Sequence, residues 1–102
     1  MDVVREFQRG AVRVHVLHQA AAGDVHGARL SGELSRLGYA ISPGTLYPLL
    51  ARLEAAGLLS SHTEVVDGHQ RRCYRTTAAG RRALAACRKA VWGLAAEVLA
   101  PR

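Results

Sequence analysis

Apolar residues recur along most of the chain at three- and four-residue steps, and over one short stretch the period drops to two. Val4, Phe7, Ala11, Val14, Leu17 and Ala21 fall on one helical face, which predicts a first helix over about Val3 to Ala22. Val12 and Val16 widen that face, so this helix is expected to be buried on more than one side. Gly23-Asp24 break it. A second helix is predicted from about His26 to Leu37, with Leu30, Leu34 and Leu37 inward, Glu33 and Arg36 outward, and Gly38 as its stop. Only Tyr39-Ala40-Ile41 separate it from a third.

The third helix opens on Ser42, a good N-cap, with Pro43 at a position that needs no amide donor. Leu46, Leu49, Leu50 and Leu53 form its inward stripe and Gly57 ends it. After Gly57 the period changes: Leu59, Ser61, Thr63 and Val65 alternate with Ser60, His62 and Glu64. Asp67-Gly68 is a hairpin signal, and Arg71 to Thr76 reads as the return strand, with Tyr74 as its large packing residue. The hairpin tip carries His69, Gln70, Arg71 and Arg72. Thr77 then caps a last helix running to about Leu99, closed by Pro101, with Leu84, Cys87 or Arg88, Val91, Leu94 or Ala95, and Val98 along its stripe.

The order helix, helix, helix, hairpin, helix predicts a mainly α fold with a small β-hairpin: a winged helix-turn-helix with an added C-terminal helix. The expected division is a winged unit over residues 1–76 and a dimerisation helix over 77–102, with the N-terminal helix also contributing to the dimer. At 102 residues and 49% apolar, the chain is long enough for one modest core. No apolar run approaches the length that spans a bilayer, and the N-terminus has no secretory pattern. Cys73 and Cys87 form no C-x-x-C pair, so both thiols are expected free in a reducing, cytoplasmic setting.

Charge sharpens the picture. The formal net charge is +6, and of the 14 basic residues all but Lys89 are Arg, whose planar fork of donors suits phosphate. The third helix presents an outer face of Ser42, Gly44, Thr45, Tyr47, Pro48 and Arg52 where a solvated helix carries Glu and Lys. That face suits a nucleic-acid groove: Gly44 permits close approach, Thr45 and Tyr47 can donate to phosphates or base edges, Pro48 is an apolar knob, and Arg52 neutralises phosphate. His69, Arg71 and Arg72 at the wing are expected to reach the flanking backbone or minor groove. The competing assignments are a capped core helix whose tyrosine packs on the second helix, and a solvated hairpin tip.

The last helix is too apolar on one side for a solitary chain. Phe7, Val91, Trp92, Leu94 and Ala95 are therefore the candidate dimer interface. Trp92 either anchors the dimer or stacks on a planar ligand, and Gly93 permits close approach there. His15, His18 and His26 are the nearest approach to a metal constellation, against which stands the plainer reading of surface or interface histidines. Cys73, among Arg71, Arg72 and Arg75, would be an acidic thiol if exposed. No catalytic arrangement emerges, since Glu33, Glu54, Glu64 and Glu97 are scattered over different elements, and an enzyme is not expected.

Three segments in the right order, S-P-G-T-L-Y-P-L-L-x-R-L-E-x-x-G-L-L from Ser42, His26-Gly27, and the run from Arg71 to Gly80, together resemble the PadR family of bacterial transcriptional regulators. The likeness covers roughly Val25 to Gly80, and the length resembles members with a single C-terminal helix. Ala28, Ala51, Cys73 and Thr76 depart from the family pattern. The resemblance implies a homodimeric repressor whose paired third helices enter successive major grooves of a palindromic operator, about one turn apart. It implies no required cofactor, and an effector, either a small molecule or a divalent metal, held between first and last helices. The expected partners are double-stranded DNA and a second copy of the chain, with no membrane. The rivals are a metal-responsive regulator using the helix 1 histidines and a winged-helix protein-interaction module.

Overall fold

The computed structural model describes residues 1–101. It contains α1 (Val3–Ala22), β1 (Val25–His26), α2 (Gly27–Arg36), α3 (Pro43–Ala55), β2 (Leu59–Val66), β3 (His69–Thr76) and α4 (Ala78–Val98). Asp2 caps α1 by accepting from the Arg5 amide at 3.0 Å. Thr77 caps α4 in the same way, its Oγ1 accepting from the Gly80 amide at 3.0 Å. Ser42 behaves differently from expectation. It occupies the N-cap of α3, but its hydroxyl lies 3.2 Å from the Thr45 hydroxyl and caps no backbone amide.

The wing is a three-stranded antiparallel sheet of order β1-β3-β2. Asp67 (φ 51°) and Gly68 (φ 77°) both take left-handed conformations, as a two-residue hairpin turn requires. That turn aligns Val66 with His69, Glu64 with Arg71 and His62 with Cys73. The return strand thus starts at His69, two residues earlier than the sequence suggests, so the predicted tip residues are strand residues. β1 was not anticipated. It is too short to show a period, and it pairs Val25 with Tyr74 and His26 with Cys73.

Val16, Ala20, Leu30, Leu34, Leu46, Leu50, Leu59, Tyr74 and Leu84 meet in one core. Burying each of the valine and leucine side chains contributes about 1.5–3 kcal/mol against the entropy of ordering it. Two expected stripes are corrected. In α1 the buried residues are Val12, Val16, Leu17 and Ala20, while Val4 and Phe7 lie in a first half that is exposed throughout. Leu37 is the C-cap of α2 and stands outside the core, 41% exposed. Thr76 is buried, and its hydroxyl donates to the Leu17 carbonyl at 2.9 Å, so this polar departure from the family pattern is satisfied. Helix α4 rests on the body through Gly80 and Leu84 and then runs out along an exposed course. The molecule is accordingly elongated, 57 × 28 × 21 Å.

Candidate nucleic-acid interface

Leu46, Leu50 and Leu53 fix which way α3 faces. Opposite them, at i, i+4, i+7 and i+11, lie Gly44, Pro48, Ala51 and Ala55, all exposed. None of the four has a long side chain, so another surface can come close to the backbone along the whole strip. Pro48 has no amide to offer the Gly44 carbonyl, which leaves that carbonyl free of its helical bond in the first turn. Thr45 and Arg52, exposed, flank the strip on one side, and Tyr47 flanks it on the other.

Tyr47 is 48% exposed and its ring lies across Gly27, the first residue of α2. A Cβ on Gly27 would stand 2.5 Å from a Tyr47 ring carbon, so glycine at that position is what lets the ring lie down. The phenol is therefore both things the sequence offered as alternatives: packed on the second helix and still open to solvent. The His26-Gly27 pair has two separate uses, because His26 Nδ1 accepts from the Arg29 amide at 3.3 Å and caps α2.

The wing cations are not free. Arg71 contacts Glu64 at 2.7 Å and Arg72 donates to Ser61 Oγ at 2.9 Å, with Glu54 at 4.0 Å. Arg75 holds Asp24 at 2.7 Å. The Arg71 hydrogen bond holds the Glu64 carboxyl below its ordinary value, and Glu64 in turn raises the guanidinium. Both groups are exposed, so the pair is worth little to stability. His69 is exposed at the start of β3. The pairing was legible in principle: counting outward from Asp67-Gly68 sets Glu64 against Arg71.

Cys73 is buried, so the condition for an acidic thiol is not met, and burial pushes the thiol up rather than down. Its sulfur lies with His62 and Glu64 in a group whose ligand atoms are within 4.8 Å of one another. A guanidinium already occupies the Glu64 carboxylate there, and the thiol is held protonated. The three histidines singled out from the sequence do not form a set. His15 Nε2 meets the Tyr39 hydroxyl at 3.2 Å, His18 Nδ1 meets an Arg88 nitrogen at 3.3 Å, and His26 caps α2.

A cavity of about 430 Å³ between α1 and α4 is lined by Val14, His15, His18, Leu84, Arg88, Val91 and Trp92. It unites two of the five predicted interface residues. Phe7, Leu94 and Ala95 lie outside it, Phe7 being 61% and Leu94 47% exposed. Among the described residues no helix is long and apolar enough to cross a membrane.

Comparison with known proteins agrees with this geometry. The pattern of the family described as "Transcriptional regulator PadR-like family" matches residues 16–86. The transcriptional regulator Rv3488 of Mycobacterium tuberculosis is 64% identical over 96 residues, 94% of this chain and 90% of that protein. A PadR family transcriptional regulator from Eggerthella lenta superposes with a TM-score of 0.81 at 35% identity, over 94% of this chain and 84% of that one. The fold is also that of Bacillus subtilis PadR, solved in complex with operator DNA, with a TM-score of 0.66 at 17% identity, over 72% of this chain and 44% of that one. Four helices, a three-stranded wing and a sequence match across both place the chain in the PadR-like family of transcriptional regulators, a family of regulators and not of enzymes.

Proposed function

We propose that the protein is a sequence-specific DNA-binding repressor that acts as a homodimer on a palindromic operator and answers to an effector. The observation that carries the DNA reading is the bare strip Gly44, Pro48, Ala51 and Ala55 on α3, flanked by Thr45, Arg52 and a Tyr47 seated on Gly27. A strip without long side chains suits a helix laid into a major groove, with the flanking donors on phosphates and base edges. The operator complex of the Bacillus subtilis relative supports the same assignment.

The homodimer is supported by apolar side chains left in solvent on two helices: Val3, Val4 and Phe7 on α1, and Val91, Trp92, Leu94 and Val98 on α4. The effector is supported by the cavity under Trp92, whose tryptophan face and Arg88 suit a planar small molecule. A metal effector held by His15, His18 and His26 would need those side chains to leave their present partners. A winged-helix protein-interaction module would use the same face but would show weak salt dependence and no preference for a palindrome.

Footprinting on the DNA upstream of the protein's own gene tests the reading. A protected palindrome is expected, with Tyr47→Ala and Arg52→Ala binding more weakly while keeping their melting temperatures. Unchanged binding by both variants would refute the site, and light scattering of a monomer at micromolar concentration would refute the dimer.

A further inference from the structure

Within α1, the row that buries Leu17 is continued toward the N-terminus, four residues at a time, by Arg13, Arg9 and Arg5. Here the row changes from leucine to arginine and stays arginine for eight residues, a length of about 12 Å. The overhang is not idle surface. The three arginines line one side of a groove of about 400 Å³ whose other side is the flank of α3, with Thr45 and Arg52.

Charge around the groove is one-sided. Among the described residues Glu6 is the carboxylate that lines it, 3.6 Å from Arg9. Arg13 donates to the Arg9 carbonyl at 2.7 Å, which aligns it along the row without neutralising it. No carboxylate among the described residues comes within ion-pair distance of Arg5, Arg13 or Arg52, whereas Arg71, Arg72 and Arg75 of the wing each have one. The unneutralised cations of this face are thus on α1 and α3, and not where a wing places them.

We infer that the groove between α1 and α3 seats the sugar-phosphate strand on the α1 side of the major groove entered by α3, with Arg5, Arg9 and Arg13 as its phosphate contacts. The inference rests on the DNA-binding reading above. Thr45 and Arg52 make the connection, since they belong both to the flank of the bare strip and to the groove. The contacts are made to a repeating anion and carry no base information, so they serve affinity and registration and not sequence choice.

The test is the salt dependence of binding to two duplexes, one from upstream of the gene and one of random sequence. The triple variant Arg5→Gln/Arg9→Gln/Arg13→Gln keeps helix propensity. Its slope of log affinity against log salt should be shallower by about 2 to 3 for each protomer, at about 0.9 per phosphate contact. Both duplexes should weaken by the same factor, and the Lys triple variant should retain the slope. An unchanged slope in the Gln variant would overturn the inference, as would a variant that loses only self-association in sedimentation, because the arginines would then answer a partner's acids. If the wild type binds neither duplex, the DNA-binding reading itself fails; if it binds and only the Gln variant is unaltered, this groove alone is wrong.

Discussion

Gly80 sits where the start of α4 crosses the Leu58 carbonyl, and a Cβ there would collide with that oxygen and with the Thr76 methyl. Backbone cannot move aside as a side chain can. Gly80→Ala should therefore cost about 1–3 kcal/mol in chemical denaturation, whereas Gly10→Ala, in open space inside α1, should gain about 0.5–1 kcal/mol. Thr76→Val removes a buried hydroxyl together with its bond to Leu17, and a loss of about 1 kcal/mol is expected. His15 supplies a pH test. Burial first, and His18 second, lower its pKa. The folded state thus disfavours its protonation, so its contribution is complete above the unfolded value of about 6.5 and is lost as pH falls through the lower folded value. His15→Gln should lose less stability than the wild type between pH 7 and 5, measured as the difference between the two melting curves.

Among the elements, α4 is the one the proposed dimer would change most. Beyond Leu84 its apolar residues Val91, Trp92, Leu94, Val98 and Leu99 are exposed, Trp92 at 77%. In a single chain Trp92→Ala should leave stability nearly unaltered. In the proposed dimer it should weaken association by about 2 kcal/mol or more, roughly thirtyfold, measured by sedimentation equilibrium. The elements also show what a single sequence could convey. Helices α1, α3 and α4 and the hairpin were legible because each is long enough for its period to show. The apolar stripe of α1 was legible as a stripe, but periodicity cannot say that Val12 and Val16 face the chain's own core while Val4 and Phe7 do not. The two residues of β1 carry no period, and Leu37 looked inward because the pattern ran one residue past the last helical turn.

At the scale of the molecule, the exposed outer face of α3 was readable from what it lacks, since Gly44 and Pro48 are conspicuous where charge is usual. The ion pairs of the wing arginines were not legible from periodicity, because Glu64 lies across a strand from Arg71 and Glu54 on another element from Arg72. The groove on α1 was missed for the opposite reason: Arg5, Arg9 and Arg13 look like ordinary solvent-facing charge until the helix is seen to overhang the body. Trp92 is the sole tryptophan, so its emission reports assembly without ambiguity. Emission should shift to the blue as protein concentration rises and return on dilution; an emission maximum independent of concentration, with the protein monomeric throughout, would rule out burial of α4 between copies.

Thr77 has more than one task. Its hydroxyl donates to the Gly57 carbonyl at 2.6 Å and its amide to the Leu58 carbonyl at 3.1 Å. The end of α3, the foot of the hairpin and the root of α4 are thereby riveted together. Beyond Leu84, which is fixed in the core, α4 extends as an arm of about 20 Å, so a swing of about 10° displaces its far end by roughly 4 Å. In the other direction, if a second copy clamps the far end, as in the proposed dimer, a small tilt of the arm reappears as a change in the separation of the two α3 helices. Leverage of that kind needs no deformation of the core.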